Sequence, residues 1–351
     1  MASTQKRLPL ITTYKIMKIA FFETENWEQD YLKSKLKNFE AYFFSEPLTP
    51  ENADLAGNCQ IISPFIYSKI SRGVQDRLPN LKMIATRSTG FDHIDIEAAA
   101  ARKAIVCNVP FYGENTVAEH TFAIILALSR KLFESLDRAK SGDFSLEGLR
   151  GFDLMGKTLG IIGLGHIGLR VARIAKGFEM EVLAYDVEQD RKLAKKTGFK
   201  YVSFADLLKN SDIISLHVPL SAKTSHLINS GNIDLIKKGA YLINTARGGL
   251  VETESLLKAL SNGTLAGAGL DVLEEECFIK EEAQLLSKEF PKTCDLKTAL
   301  QNHILLKQKN VIVTPHNAFN SEEALRRILD TTVENIQAFA KGKPINLIPN
   351  S

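Results

Sequence analysis

The chain has 351 residues, of which 44% are hydrophobic and 24% charged, and these fractions are typical of folded globular proteins. They exclude an intrinsically disordered chain, a collagen-like fibre and a low-complexity scaffold. The 44 basic and 41 acidic residues leave a net charge of +3, which argues against a concentrated basic face for a nucleic acid. At roughly 100–200 residues per domain, this length predicts two or three domains.

The first residues, 1–16, carry three basic side chains and no acidic one. They lack the apolar core and cleavage site of a secretory signal, so we interpret them as a disordered N-terminal extension, with a transit peptide as the weaker alternative. The longest uncharged apolar run, 122–128, is far below the ~20 residues that a membrane helix needs. The four cysteines form no CxxC pair, which favours reduced thiols over a zinc or redox site. We therefore expect a cytoplasmic protein that binds neither membrane nor nucleic acid.

The N-terminal part of the chain alternates short apolar runs with amphipathic stretches. Buried strands that alternate with helices are typical of a parallel sheet covered on both faces. Five such strands predict a small doubly wound domain, and they are 18–22, 41–44, 61–65, 83–86 and 105–109.

The next segment, 115–140, is predicted to be one long helix with apolar residues on more than one face, which indicates burial against a domain or a partner subunit. A second alternating series follows, and the charged stretch at 274–309 interrupts it as a predicted surface insertion. The last stretch, 321–341, has one apolar helical face and begins at Ser321, a residue type that caps helices. The predicted strands of the second series are 158–162, 182–185, 213–217, 241–244, 266–270 and 311–314.

A glycine-rich segment follows the first strand of this second series. It reads Gly163-Leu164-Gly165-His166-Ile167-Gly168, the pattern GxGxxG, and a predicted helix follows it. In this context the first glycine permits a tight turn, the second lets a pyrophosphate approach, and the third lets helix pack on strand. The phosphates would lie at the helix N-terminus, where free N–H groups and the macrodipole favour negative charge.

An acidic residue, Asp186, ends the next predicted strand. A carboxylate at this position can accept hydrogen bonds from ribose hydroxyls and repels a 2′-phosphate, and no arginine follows it directly. The segment therefore predicts NAD rather than NADP. An S-adenosylmethionine site or an empty Rossmann domain is the alternative.

Polar residues close further strands of the second series. Ligands of open parallel sheets bind at the carboxyl ends of the strands, so we expect these residues to face the nucleotide. The stretches are His217-Val218-Pro219, Asn244-Thr245-Ala246-Arg247-Gly248-Gly249, Thr314-Pro315-His316 and the acidic run that follows Asp271. Taken singly, each has an ordinary interpretation: a surface ion pair, a loop histidine or a solvated acidic run.

Together, and in this order, these motifs resemble those of the D-isomer-specific 2-hydroxyacid dehydrogenase family. The stretches TRSTGFDHID and TPHNAF look most like the D-lactate dehydrogenase branch. The resemblance implies an α/β protein of two doubly wound parallel-sheet domains, a flavodoxin-like substrate domain and a Rossmann NAD-binding domain, with the cleft between them. The implied substrate domain is 17–111 with 317–351, and the implied NAD-binding domain is 112–316 with the insertion 277–309.

The same resemblance implies the catalytic residues. Arg247 would bind the substrate, His316 would be the proton donor, and Glu276 would be the acid that partners the histidine. Spacing from Asp271 alone selects Glu276, since Glu274 is also acidic. The chemistry agrees: an arginine fork matches a carboxylate, and a neighbouring carboxylate favours the protonated form of an imidazole that donates a proton.

The remaining contacts are implied in the same way. Thr89 and Gly90 would grip the substrate carboxylate, and Tyr112 would contact substrate unless it is a packed hinge aromatic. The other histidines, His93, His120, His226 and His303, are expected to be structural or solvated, and no metal site is expected. The residues expected to contact NAD are Gly163, Gly165, His166, Ile167, Gly168, Asp186, His217, Val218, Pro219, Thr245, Ala246 and Asp271.

The function implied is the reversible NAD-dependent reduction of a small 2-oxo acid, with pyruvate favoured, to the D-2-hydroxy acid. Two alternatives stay open. One is a sibling specificity for glyoxylate, hydroxypyruvate or a bulkier 2-oxo acid. The other is an NAD-sensing interaction protein of the C-terminal-binding corepressor type, which shares this fold. A homodimer is expected, since the family commonly dimerises through its NAD-binding domain.

Overall fold

The computed structural model describes residues 16–274 and 295–349. The chain divides into two compact units: the first combines residues up to 112 with those from 322 onward, and the second spans 113–321. Each unit contains one sheet whose strands are all parallel, with helices between successive strands. This confirms the predicted class of two parallel-sheet α/β domains. The predicted extension, but for Ile16, lies outside the described residues.

The sheet of the first unit has the order β2-β1-β3-β4-β5. This is the flavodoxin-like order of doubly wound sheets, and every neighbouring pair is parallel. All of its strands are largely buried except the edge strand β2, which is partly exposed. The strands are β1 (Lys18–Phe21), β2 (Glu40–Phe43), β3 (Ile61–Ser63), β4 (Met83–Ala85) and β5 (Ile105–Cys107).

Four helices cover this sheet, and the last of them comes from the C-terminal end of the chain. Its apolar face, which includes Leu329, Val333 and Ile336, packs in one core with Ile19 and Phe21 of β1. The C-terminal helix thus completes the first unit. The helices are α1 (Asn26–Lys35), α2 (Arg72–Asp76), α3 (Ile96–Ala101) and α11 (Glu322–Ala340).

The sheet of the second unit has the order β12-β11-β10-β9-β6-β7-β8, again all parallel. The chain order reverses between β6 and β9, which is the switch point where dinucleotides bind in Rossmann sheets. The two-residue edge strand β8 escapes prediction because it is too short to show a period. The strands are β6 (Thr158–Ile162), β7 (Glu181–Tyr185), β8 (Lys200–Tyr201), β9 (Ile213–Leu216), β10 (Ala240–Asn244), β11 (Leu265–Leu270) and β12 (Val311–Val313).

The helices of the second unit correct one prediction: the segment 115–140 is two helices. Lys131 adopts a left-handed conformation with φ of 49°, which ends the first helix and starts the second. The apolar pattern continues through this break, so periodicity alone does not reveal it. The helices are α4 (Glu114–Ser129), α5 (Leu132–Lys140), α6 (His166–Gly177), α7 (Arg191–Thr197), α8 (Phe204–Asn210), α9 (Thr253–Ser261) and α10 (Leu296–Lys307).

The last of these, α10, falls within the stretch predicted as an insertion. It connects β11 to β12, and its Leu305 is buried in the core of the unit. Parallel neighbours need such a crossover helix, so α10 belongs to the regular architecture. The part of the predicted insertion at 277–294 lies outside the described residues.

Candidate active site

The glycine-rich turn lies at the switch point of the second sheet, and its three glycines have different surroundings. Gly163 has φ of 95°, and a Cβ there would lie 2.7 Å from the carbonyl oxygen of His217. A Cβ on Gly168 would lie 2.0 Å from the carbonyl oxygen of Gly163. At Gly165, by contrast, a Cβ would meet nothing within 4 Å. Two glycines therefore close the turn, and the third faces open space that a ligand can enter.

The helix that follows offers backbone donors toward that space. α6 begins at His166 with Gly165 as its N-cap, and no side chain in the described part of the chain caps it. Its first N–H groups are thus placed for an anion. The His166 side chain is exposed, with Nδ1 3.3 Å from Oε1 of Glu114, while Ile167 packs against the core.

The carboxylate of Asp186 is tied to the same turn. Its Oδ2 accepts a hydrogen bond from the backbone N–H of Leu164 at 2.6 Å, and its Oδ1 accepts from that of Glu188 at 3.1 Å. Carboxylate oxygens have further lone pairs, so the group can still accept from ribose hydroxyls. The turn, the helix start and the acid together fit a dinucleotide that carries no 2′-phosphate.

The segment after β9 forms the other wall of the switch point. Burial lowers the pKa of His217 to about 3, so its ring is neutral near pH 7. Nε2 of this ring lies 2.8 Å from Oγ of Ser215. Val218 packs against the core, and the carbonyl of Pro219 accepts from the Thr224 hydroxyl at 2.6 Å. His217 is therefore a hydrogen-bonding group rather than an acid.

The segment after β10 carries Arg247 on a backbone that tolerates no side chain at the following position, Gly248. A Cβ on Gly248 would lie 1.9 Å from the carbonyl oxygen of Leu273, so the loops after β10 and β11 are in direct contact. Asn244 fixes the turn, since its side chain donates to the carbonyl of Arg247 at 2.9 Å and accepts from the N–H of Ala246 at 3.1 Å. The Arg247 side chain is partly exposed at this edge.

The residue Thr245 in the same segment is buried. Its Oγ1 lies 2.9 Å from Oγ1 of Thr121 on α4. This contact ties the arginine-bearing turn to the long helix of the unit.

The carboxylate of Asp271 organises the turn after β12. It is 1% exposed, and it accepts from the backbone N–H groups of Asn317 at 3.0 Å and Ala318 at 2.9 Å. The backbone N–H of His316 donates to the carbonyl of Asp271 at 2.9 Å. Sequence reasoning assigned Asp271 to NAD binding and did not anticipate this anchoring, because its partners lie more than forty residues away along the chain.

The described residues end at Glu274, within the acidic run, and Glu276 lies outside them. Its neighbour Glu274 is described, and its Oε2 accepts from the backbone N–H and the hydroxyl of Thr253 at 3.0 and 2.7 Å. The other oxygen contacts Nε2 of His226. Glu274 is thus held at the start of α9.

The remaining predicted residues belong to the first unit. Thr89 is exposed after β4, and its hydroxyl donates to the carbonyl of Val109 at 2.7 Å. The carbonyl of Gly90 accepts from the Ser88 hydroxyl at 2.6 Å. The carbonyl of Tyr112 accepts from Nε of Arg327 at 2.7 Å.

A fully buried arginine, Arg87, directly precedes the turn formed by Ser88, Thr89 and Gly90, and sequence reasoning missed it. The guanidinium of Arg87 donates to the carbonyls of Ser63, Phe22 and Glu23 at 2.8, 2.6 and 2.7 Å. Burial lowers the pKa of Arg87 from its usual range. In the sequence, the only signal for Arg87 is that an arginine stands next to an apolar strand.

Two further kinds of site would have distinct signatures in the described residues. No group of three or more His, Cys, Asp or Glu side chains is arranged there to hold a metal ion. Among the helices of those same residues, none combines the length and the apolar character needed to cross a bilayer.

Comparisons with known proteins agree with this geometry. Residues 122–318 match the model of the D-isomer specific 2-hydroxyacid dehydrogenase NAD binding domain. The chain is 34% identical to the D-lactate dehydrogenase of Escherichia coli over 93% of this chain and 98% of that protein. It is 35% identical to the glyoxylate reductase of Thermococcus litoralis over 95% and 97%. A structure of Aquifex aeolicus D-lactate dehydrogenase with NAD and lactic acid has a TM-score of 0.81 and 37% identity, with 93% and 96% coverage.

Proposed function

Because the chain belongs to the D-isomer specific 2-hydroxyacid dehydrogenases, a family of NAD-dependent oxidoreductases, we propose that it reduces a small 2-oxo acid to the D-2-hydroxy acid. Pyruvate is the favoured substrate and D-lactate the product, by similarity to the Escherichia coli enzyme. The observation that carries this proposal is one edge of the second sheet. It brings the glycine-rich turn, Arg247 and the His316 turn to the carboxyl ends of β6, β10 and β12.

The NAD-binding residues of this proposal divide by task. NADH supplies the hydride when it is bound. Gly165 and the first N–H groups of α6 bind the pyrophosphate, and Asp186 accepts hydrogen bonds from the ribose. His217 and Val218 form the wall behind Gly163.

The substrate is bound and protonated by side chains at the same edge. The Arg247 guanidinium pairs with the carboxylate of the 2-oxo acid, and its charge polarises the neighbouring carbonyl. His316 donates a proton to the carbonyl oxygen and takes it back in the reverse direction. We assign Glu276, by its spacing from Asp271, to hold the histidine in its protonated form. In the first unit we assign Thr89, Gly90 and Tyr112 to the substrate.

A screen of 2-oxo acids tests this function. NADH oxidation is followed with pyruvate, glyoxylate, hydroxypyruvate and a bulkier branched 2-oxo acid, and the chirality of each product except the achiral glycolate is determined. We expect the highest kcat/KM with pyruvate and a D product. The absence of turnover with all of them contradicts the proposal and favours an NAD-sensing interaction protein.

Glyoxylate is the second candidate substrate. It is favoured by the relative from Thermococcus litoralis, a glyoxylate reductase whose identity to this chain equals that of the lactate branch within one percent. A higher kcat/KM for glyoxylate than for pyruvate in the same screen would establish this alternative.

We also propose that the protein is a homodimer through its NAD-binding unit. All residues of α5 are at least partly exposed, including Leu132, Phe133 and Leu136, and the following loop exposes 81% of Phe144 and 83% of Leu146. Contiguous exposed apolar side chains mark interaction surfaces. Light scattering should give the mass of two chains, and Phe144→Asp with Leu146→Asp should give that of one. A monomeric wild type would contradict the proposal.

A reducing compartment, with the cytoplasm as the default, is proposed from the cysteines. Cys59 and Cys107 are free and buried, and burial raises the pKa of both thiols to about 11. Such thiols are protonated and unreactive near neutral pH. Cell fractionation checks the location, and recovery of the protein outside the cytoplasm would contradict it.

A further inference from the structure

The backbone of His316 is held in an unfavourable conformation. Its φ is 52°, in the left-handed region, which costs a residue with a Cβ on the order of 1 kcal/mol. Such residues persist only where their surroundings determine them. Here the N–H of His316 lies 2.9 Å from the carbonyl oxygens of both Asp271 and Thr314.

The carboxylate of Asp271 holds both sides of this residue. The N–H groups of Asn317 and Ala318 donate to it from the following side, and the Thr314 hydroxyl donates to Oδ1 from the preceding side. One buried carboxylate therefore fixes the turn at three points around His316.

A second histidine contacts this arrangement from α4. Nε2 of His120 lies 3.1 Å from Oγ1 of Thr314 and 3.5 Å from Oδ1 of Asp271. Because the Thr314 hydroxyl gives its proton to the carboxylate, its lone pairs can accept from an N–H of His120. His120 therefore donates to Thr314, and Thr314 donates to Asp271.

The same helix also reaches the other proposed substrate-binding turn. Thr121, the next residue, is fully buried and contacts Thr245, two positions before Arg247. Consecutive side chains of α4 thus touch the turn of Arg247 and the turn of His316. A single rigid helix sets the position of both.

We propose that His120 is a positioning residue that acts through Thr314 and Asp271 to hold the turn of His316. This inference rests on the proposed function, in which His316 is the proton donor. His120 has no assigned contact with substrate or NAD, so its effect is on placement. A catalytic group displaced by about 1 Å loses on the order of a hundredfold in rate. The bonds to Asn317 and Ala318 leave Asp271 further acceptor capacity for the nicotinamide.

Substitution of His120 tests the proposal. His120→Leu removes the donor and keeps a side chain of moderate size, whereas His120→Gln supplies an N–H donor in its place. We expect kcat to fall about tenfold to a hundredfold in His120→Leu, with the Kd of NADH unchanged. His120→Gln should recover most of the loss. His303→Leu makes the same change on α10 and should leave kcat unchanged.

Substitution of Thr314 tests the intermediate step. Thr314→Val keeps the shape and removes the hydroxyl, and Thr314→Ser keeps the hydroxyl. We expect Thr314→Val to lower kcat as His120→Leu does, and Thr314→Ser to stay within about threefold of the wild type. Since His120 acts through the Thr314 hydroxyl, kcat in the double variant His120→Leu with Thr314→Val should be little lower than in either single variant. If His120→Leu does not fold, the Thr314 pair carries the test.

Hydrogen exchange gives a readout that does not depend on turnover. The amides of Asn317 and Ala318 should exchange faster in His120→Leu and Thr314→Val than in the wild type and in His303→Leu. Unchanged exchange at these amides, or a kcat within twofold of the wild type in His120→Leu, would overturn the proposal. A wild type with no turnover would defeat the proposed function instead, and the exchange result would then decide this inference alone.

Discussion

The turn at Gly163 and the turn at Ser88 both follow parallel strands at the carboxyl edge of a sheet, one in each unit, but they are built differently. The turn at Gly163 depends on missing side chains, since no Cβ fits at Gly163 or Gly168. The turn at Ser88 depends on side chains that are present: the buried guanidinium of the preceding residue, Arg87, donates to the carbonyls of Ser63 and Phe22, and the Thr89 hydroxyl donates to the carbonyl of Val109.

The difference explains what each turn can bind and whether the turn can be identified from the sequence. A glycine turn leaves its N–H groups open to a pyrophosphate, and the spacing of its glycines identifies it in the sequence. A turn held by a buried cation relies on carbonyls of Phe22 and Ser63, far away in sequence, and has no such signal. The two turns therefore respond to different substitutions.

The largest expected effect comes from filling the glycine turn. Gly168→Ala places a Cβ 2.0 Å from the carbonyl oxygen of Gly163, so we expect the free energy of unfolding to fall by about 3 kcal/mol and NADH affinity to fall at least tenfold. Denaturant unfolding and NADH fluorescence titration measure both. Gly177→Ala, on the same helix with nothing within 4 Å of its Cβ, is the control and should be neutral or stabilising. Equal effects of the two would contradict this account.

The second effect comes from removing the buried cation. Arg87→Met leaves three carbonyl oxygens without their donor, and we expect a loss of about 2–3 kcal/mol in unfolding free energy. The KM of the 2-oxo acid should rise while the Kd of NADH stays the same. Arg102→Met makes the same change at a partly exposed guanidinium bonded to Asp76, and should cost less than about 1 kcal/mol. A change in NADH affinity in Arg87→Met would show that the two turns are not independent.

The third effect concerns the charged group at the glycine turn. Asp186→Ala removes the proposed acceptor for ribose hydroxyls and the proposed repulsion of a 2′-phosphate, so the NADH over NADPH ratio of kcat/KM should fall about tenfold. Glu188→Ala removes the same charge two residues away and should leave the ratio unchanged. An unchanged ratio in Asp186→Ala would remove Asp186 from the coenzyme site.

The last effect is a pH dependence of stability at the wall of the glycine turn. Burial holds the pKa of His217 at about 3, below its value near 6.5 in the unfolded chain. Between these two values the unfolded chain binds the additional proton, so stability must fall as the pH falls from about 6.5 toward 3. This one group contributes at most ~1.4 kcal/mol per pH unit. Between pH 7 and pH 4, the free energy of unfolding should depend less steeply on pH in His217→Asn than in the wild type. An identical slope in the two proteins would contradict a His217 ring that stays neutral in the folded state.

Much of the fold is predictable because it rests on local patterns. Buried strands and crossover helices give both sheets, and the glycine spacing marks the switch point. The break at Lys131 and the two-residue strand β8 are not predictable, since the first is a backbone conformation and the second has no period.

The positions of the motif residues are predictable, and the contacts that hold them are less so. Asp186 and Arg247 lie after β7 and β10, as their places at the ends of predicted strands indicate, whereas the role proposed for Arg247 comes from the resemblance to the family. The anchoring by Asp271, the buried Arg87 and the contact of His120 with Thr314 depend on residues distant in sequence. Sequence reasoning therefore assigned His120 no task, and it selected Glu276 by spacing alone.

In the function that we propose, His316 donates the proton in the reduction of a 2-oxo acid. A comparison of wild type with His316→Ala and with His316→Asn tests this role, since asparagine tolerates the left-handed backbone but has no proton to donate as an acid. We expect kcat to fall by about a thousandfold in both variants, with the Kd of NADH within twofold of wild type. Turnover within tenfold of wild type in either variant would contradict it.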